Sequence, residues 1–386
     1  MSDTAHVVIV GAGIVGASIA WHLTDAGCRD VLLLERESHQ GRGSTGKSMG
    51  GVRAQFATDV NVRLSLHSIP FYARFEALVG APCGYKPHGY LFVASTERHL
   101  TYLRNTVARQ RELGLQGVEL LDRDGVLRLA PMLRGDDVRG GSYCPTDGFV
   151  DPHSVMSGFT DGALARGARL RKRTEALAIE VRDGRVRGVR TGQGVVAAEH
   201  VVIAAGAWAA PLAATAGLDL PVVPRRRMLV PTEPIAGIPE RLPMVIDMGT
   251  GFHFRPEGRG LLLAWDDPAS PACEDAVFDP AFVERILEVA AARVPAFADL
   301  PVNPSKGWAG LYEVSPDKHA ILGAVPGVTG LWLACGFSGH GVMHAPATGR
   351  VLADLVLRGR CDAIDWSALT FDRFRTGALL HETAVL

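Results

Sequence analysis

The chain has 386 residues, 47% of them hydrophobic and 21% charged, and 40 basic against 41 acidic side chains leave a net charge of −1. That balance excludes a field able to grip a phosphate backbone, so nucleic acid is not an expected partner. The length allows two domains, and 44 glycines with a mean hydropathy of +0.13 point to a globular protein with many tight turns.

The first predicted element is a strand, His6-Val7-Val8-Ile9-Val10, followed at once by Gly11-Ala12-Gly13-Ile14-Val15-Gly16. A helical stretch and a second apolar run, Val31-Leu32-Leu33-Leu34, follow, closed by Glu35. This is the strand, glycine turn, helix, strand and acid of a dinucleotide-binding unit. Gly11 permits the turn, Gly13 admits a pyrophosphate to the backbone and Gly16 lets helix pack on strand. Glu35, nineteen residues beyond Gly16, is placed to accept hydrogen bonds from ribose hydroxyls. The apolar stretch over 7–20 is shorter than the roughly 20 residues a membrane span needs. It has no basic region before it and no cleavage site after it, so the expectation is a cytoplasmic protein with no span.

A glycine- and serine-rich loop occupies 41–51, and helices are predicted over 59–79, 97–113 and 152–166, with Asp151 as N-cap of the third. Strands over 90–94 and 200–206 are expected, and Asp183-Gly184 marks a hairpin between 177–181 and 186–190. A proline- and arginine-rich region begins at 220. The run Arg225, Arg226 and Arg227 reads as a solvated strand end, with one of the three a candidate to face a pocket. A hairpin over 251–265, a helix over 281–294, a strand over 330–336 and a helix over 345–357 complete the chain. Three buried strands thus end in glycine turns, at Gly11, Gly206 and Gly336, and could lie side by side in one parallel sheet. The six cysteines include no CxxC pair and read as reduced packing residues. His340 and His344 have helical metal-pair spacing but no third ligand close in sequence, so no metal is expected.

Several blocks together resemble the FAD-dependent amine oxidoreductases of the D-amino-acid oxidase, glycine oxidase and sarcosine oxidase superfamily. They are the N-terminal fingerprint, Ser44-Thr45-Gly46 with Gly51-Val52-Arg53, and Val202-Ile203-Ala204-Ala205-Gly206-Ala207-Trp208. Glu313-Val314-Ser315-Pro316-Asp317 and Ala334-Cys335-Gly336-Phe337-Ser338-Gly339-His340-Gly341 complete the set. The last is similar to the flavin-contacting loop of monomeric sarcosine oxidases and proline-dehydrogenase-like enzymes.

The resemblance implies an α/β fold: a discontinuous Rossmann-like FAD-binding domain over 1–80, 150–220 and 318–386, and an α+β substrate domain on a mixed, antiparallel sheet over 81–149 and 221–317. It implies FAD contacts from Gly11, Gly13, Ile14, Val15, Gly16, Glu35, Arg36, Ser44, Thr45, Gly46, Ser48, Met49 and Gly50. Further contacts would come from Ala205, Gly206, Trp208, Gly336, Ser338, Gly339, His340, Gly341 and Val342. Arg53 is the expected anchor of a substrate carboxylate, since a guanidinium matches that group bidentately. His340 and His253 are further active-site candidates, with Phe254 and Arg255 beside His253.

Gly310 stands where monomeric sarcosine oxidases carry the cysteine that links to flavin, so FAD is expected to be non-covalent. Met343 replaces a carboxylate-binding lysine, and Leu262 replaces a lysine that activates oxygen, which favours a dehydrogenase. The expected reaction is oxidation of a C–N bond in a small amine or amino acid, such as sarcosine, dimethylglycine, proline or a D-amino acid. Electrons would pass to O2 or a carrier, and the resemblance admits a chain that is one subunit of a larger complex. Two competing readings remain. One is a non-catalytic, FAD-containing assembly protein. The other is a triphosphatase, since Gly41–Ser48 matches GxxxxGK[ST]; against it, five residues separate this loop from the strand it should spring from.

Overall fold

The computed structural model describes residues 3–268, 273 and 275–382. Two eight-stranded sheets organise them. In the first, Leu331–Cys335, Gly194–Ile203, Asp3–Val10, Val31–Leu34 and Arg169–Arg171 run parallel in that order, with Ile321–Ala324 antiparallel at one edge. The three strands that end in glycine turns are therefore neighbours, as the sequence suggested. Their runs are continuously apolar because both faces are covered. Val7 and Ile9 pack under the helices Ile14–Asp25 and Gly341–Arg358, and Val8 and Val10 pack with Ile203, Leu212 and Ile179 on the other side. The hairpin Ala176–Arg182 with Arg185–Thr191 extends this sheet. Its turn residues Asp183 and Gly184, at φ 52° and 66°, are both left-handed, as such a turn requires.

The second sheet runs Trp308–Val314, Val223–Pro231, Gly260–Ala264, His253–Glu257, Met244–Asp247, Tyr90–Ala94, Gly140–Cys144 and Glu119–Leu121. Every pairing is antiparallel except that of Met244–Asp247 with Tyr90–Ala94. Side chains alternate across it. Leu91, Met228, Val230, Val245, Phe254 and Leu263 face a core capped by the helix Phe282–Arg293. Tyr90, Arg225, Arg227, Met244, His253 and Tyr312 face the opposite way, into a cavity. This period of two is what a sheet with one packed and one open face demands.

Two boundaries differ from the sequence reading. The helix expected over 59–79 is two, Asp59–Ala73 and Phe75–Val79, because the Arg74 amide bonds back to Phe71 O and tightens the last turn. The last long helix starts at Gly341, four residues early, and runs through Pro346. Proline supplies no amide to the carbonyl four residues back, and Tyr72 OH bonds Val342 O at 2.5 Å instead. The arginine run lies in the first half of the strand Val223–Pro231, where Arg225 is exposed as expected and Arg226 and Arg227 are half-buried.

Candidate functional site

Two cavities adjoin where the sheets meet. The first, of about 370 Å³, is lined by the glycine turns of the parallel sheet. Gly11 and Gly13 reach it from the first strand, Ala204–Gly206 from the central one, and Gly339 and Gly341 from the C-terminal block. Both long helices begin at its wall, through Ile14 and Val15 and through Gly341 and Val342, so their positive ends face it. Glu35 borders it with a carboxylate that accepts the amides of Ala12 at 3.3 Å and Glu37 at 3.0 Å. Arg36 also lines it, with its guanidinium 3.7 Å over the Trp208 ring.

The turns must stay bare. A Cβ on Gly11 would sit 2.3 Å from Ala204 O at φ 103°, and one on Gly339 would sit 2.5 Å from the Tyr312 ring. A long cavity with backbone walls, two helix N-termini and a carboxylate on the adjacent strand end fits a dinucleotide.

Of the residues expected to touch cofactor, Gly11, Gly13, Ile14, Val15, Glu35, Arg36, Ser44, Thr45, Ser48, Ala205, Gly206, Trp208, Gly339, Gly341 and Val342 line this cavity. Met49, Ser338 and His340 line the second cavity instead. Gly16, Gly46, Gly50 and Gly336 line neither. Gly16 acts as a spacer, since a Cβ there would fall 2.0 Å from Gly11 O. Gly46 packs the 41–48 loop on itself through its amide to Gly41 O at 3.0 Å. The loop forms a single turn, Thr45–Lys47, and leads to the strand Gly51–Val52 rather than a helix, which removes the triphosphatase reading.

The second cavity, of about 750 Å³, shares Ser44, Ser48, Leu311, Tyr312 and Gly339 with the first. It gathers Arg53, His253 and His340 from segments far apart in sequence. Arg53 is 1% exposed, stacks 3.9 Å over Phe56, and donates from Nη1 to Gln55 O at 2.5 Å. Its Nη2 has no hydrogen-bond partner among the described residues. Beside it, Asp147 accepts the Ala54 amide at 2.8 Å and Gln55 Nε2 at 3.0 Å, and burial pushes its carboxyl up to about 7.

His253 bonds Gly251 O through Nδ1 at 2.9 Å, which fixes its proton there and leaves Nε2 an acceptor. Burial lowers its pKa to about 4, so the ring is neutral. Burial, with the Arg53 charge, likewise holds His340 well below the usual histidine range. His344, the other member of the supposed metal spacing, hydrogen-bonds Ser65 Oγ at 3.1 Å and packs on Phe56. Phe254 is core, and Arg255 bonds Met49 O at 2.7 Å, so neither lines the cavity.

Sequence reasoning missed Tyr312, Tyr90 and Trp265, which line the second cavity; Arg227, and Arg225 from an exposed position, also line it, where one arginine of the run is a candidate from the sequence. The alternation along 225–229 and 308–312 was the available signal. Glu313, on the first cavity, has an enclosed carboxylate whose pKa burial raises to about 7.

Residues 6–355 match the family model described as DAO, FAD dependent oxidoreductase. The chain is 32% identical over 418 residues to FAD-dependent oxidoreductase domain-containing protein 1 of Xenopus laevis, covering 96% of this chain and 83% of that one. It is 30% identical over 379 residues to mitochondrial dimethylglycine dehydrogenase of Rattus norvegicus, covering 92% of this chain but only 43% of that longer protein. Among solved structures, L-proline dehydrogenase from P. horikoshii superposes with a TM-score of 0.91 at 27% identity, covering 98% of this chain and all of the other. Among the described residues no helix is long and apolar enough to cross a membrane.

Proposed function

The chain belongs to the DAO family of FAD-dependent oxidoreductases, which act on amino acids and amines, and from that premise we propose that it oxidises the C–N bond of a secondary or N-methyl amino acid. The observation that carries this reading is Arg53, a buried guanidinium with one edge unpartnered at the wall of the second cavity. Among the described residues Arg53 makes no direct ion pair, since the nearby Asp147 is bound to the Ala54 amide and Gln55 Nε2, and a substrate carboxylate would supply a counter-charge bidentately. Dimethylglycine and proline, in the names of two similar proteins, are both amino acids of this kind.

In the proposed arrangement the first cavity holds FAD through the residues that line it, with Glu35 on the ribose and the two helix ends near negative groups. FAD, when bound, supplies an acceptor for the hydride taken from the carbon beside nitrogen. Arg53 fixes the acid end of the substrate and so orients that carbon toward the wall the two cavities share. The amine reacts in its neutral form, and His253, itself held neutral, offers Nε2 as a hydrogen-bond acceptor to the amine N–H without taking its proton. Water hydrolyses the resulting imine after it leaves. His340 packs at the boundary as a neutral wall.

Gly310 lines the second cavity, and a Cβ there would meet Lys47 Cβ at 2.6 Å, which favours FAD held without a covalent bond. Leu262 is buried with Leu229 and Ala264, so the position that carries the oxygen-activating lysine in sarcosine oxidases offers no charge here, which favours a dehydrogenase. We take the limits of the cofactor-binding segments as 1–80, 150–220 and 318–386.

The test is an anaerobic titration of purified yellow protein with sarcosine, dimethylglycine, proline and D-amino acids, read at the flavin band. Bleaching by secondary or N-methyl amino acids, with acid releasing free FAD and little peroxide formed in air, is the expected result. Protein that no amine bleaches would leave the assembly-protein reading in possession, and fast stoichiometric peroxide would make it an oxidase.

A further inference from the structure

Arg53 does not hold itself in place. Its guanidinium rests on the Phe56 ring and donates to Gln55 O, so both supports belong to the turn that follows it, in which the Phe56 amide bonds Ala54 O at 2.9 Å. That turn is gripped from the second sheet and its flanking helix. Gln55 Nε2 donates to Tyr90 O and to Asp147 Oδ2, each at 3.0 Å, and Gln55 Oε1 accepts Ser142 Oγ at 2.6 Å. Phe56 O accepts Gln110 Nε2 at 2.8 Å from the helix Glu97–Glu112, and Asp147 Oδ1 accepts the Ala54 amide at 2.8 Å.

Asp147 is the charged member of this set, and strand register puts it there. Gly51–Val52 pairs antiparallel with Gly148–Phe149, Val52 opposite Gly148, and one step further along Asp147 stands opposite Arg53. Its own backbone is fixed on the far side: the amide bonds Cys144 O at 3.2 Å and the carbonyl accepts the Gly89 amide at 2.8 Å. Gly148 allows the close approach, since a Cβ there would lie 2.0 Å from Lys86 O. Gln55, Ser142 and Asp147 are all buried, so water does not replace a bond that is lost. The Asp147 carboxyl feels the Arg53 charge, yet its oxygens are engaged by Ala54 and Gln55. A direct ion pair would close the guanidinium edge that must take a ligand. This arrangement aims Arg53 and leaves Nη2 open.

We propose that Asp147 is a positioning residue for the substrate carboxylate: through Ala54 and Gln55 it holds the turn that aims the Arg53 guanidinium. The inference rests on the reading of Arg53 as anchor. The sheet that walls the substrate cavity thereby also directs an arginine that it does not itself carry.

The test uses FAD-loaded protein and the shift of its flavin band on binding pyrrole-2-carboxylate, whose aromatic ring has the outline of proline but resists oxidation. The uncharged pyrrole-2-carboxamide is the control. The wild type is expected to prefer the acid by about tenfold or more. In Asp147→Asn the new amide can still accept from Ala54, but its Nδ2 then meets Gln55 Nε2, donor against donor. Turning Gln55 over would set its oxygen against Tyr90 O. That variant should lose about fivefold or more of the acid preference at unchanged flavin content. Ser142→Ala, which removes one bond to Gln55, should lose about twofold to threefold. In the Arg53→Met background Asp147→Asn should alter acid binding by less than about twofold, because its effect passes through the guanidinium. A side chain that merely stabilises the fold would act there as strongly as in the wild type. Acid preference intact in Asp147→Asn, or an equal loss with and without Arg53, overturns the positioning role alone. Should Asp147→Asn fail to hold FAD, Ser142→Ala decides, and an unchanged preference there overturns the role. A wild type that does not distinguish acid from amide, or an acid preference that survives Arg53→Met, overturns the role together with the anchor.

Discussion

The two cavities adjoin but are built from different materials. The first is walled by backbone: glycine turns at strand ends, amides at helix starts, and a carboxylate held by two amides. The second is walled by side chains that project from one face of a mixed sheet and from the 41–53 loop. A backbone wall suits what all members of a family share, the cofactor, and tolerates little change. A side-chain wall can be rewritten one residue at a time, so specificity resides there. Function differs among similar folds through such sites.

Mutations test that contrast, beginning with the wall that should not yield. Gly11→Ala places a Cβ against Ala204 O at a positive φ, and a cost of about 4–5 kcal/mol is expected. Protein purified without flavin, by the ratio of visible to ultraviolet absorbance, is the predicted outcome; a yellow, stable variant would show that the turn can relax.

The next effect tests, through pH, the buried carboxyl beside Arg53. Asp147 titrates near 7 in the fold against an ordinary 3.8, so the folded state holds a proton that the unfolded state has released between these values. Stability should therefore fall as pH rises from about 4 to about 7, by on the order of 4 kcal/mol. Asp147→Asn should flatten that slope in denaturant titrations; an unchanged slope would assign it to other groups, Glu313 first.

Arg53→Met should lower kcat/KM for a carboxylate substrate by a factor equivalent to about 2–5 kcal/mol, with flavin content unchanged. Steady-state kinetics with equal flavin loading would decide it, and unaltered constants would place the anchor elsewhere. The smallest effect is expected from Glu35→Ala, which removes one ribose acceptor at a cost of about 1–2 kcal/mol. FAD dissociation measured by filtration should quicken about tenfold while the thermal transition of the apoprotein stays put.

The sequence allowed the first cavity to be anticipated and the second only in part, for the same reason. Gly11, Gly13 and Glu35 lie within one local unit whose geometry is fixed by short-range sterics, and Ala205, Gly206, Gly339 and Gly341 sit in compact blocks at strand ends. Lys47 was hidden inside a misleading nucleotide-loop pattern. Arg225 and Arg227 looked like a solvated run because their neighbours gave no sign of which face was open. Tyr90 and Tyr312 sit in strands whose partners are distant in the chain, so nothing local told which way they pointed. Gly336 shows the opposite error: it sits in the right block yet lines neither cavity.

By itself the sequence pointed to a parallel sheet with three glycine-turned strands side by side and to most residues that line the first cavity, because continuous apolar strands, bare turns and helix starts are set by neighbouring residues. Only the tertiary structure decided what meets the substrate. Sheet pairing chose the open face of Val223–Pro231 and Trp308–Val314, and burial with Nη2 unpartnered gave the Arg53 expected from the sequence its setting at the cavity wall.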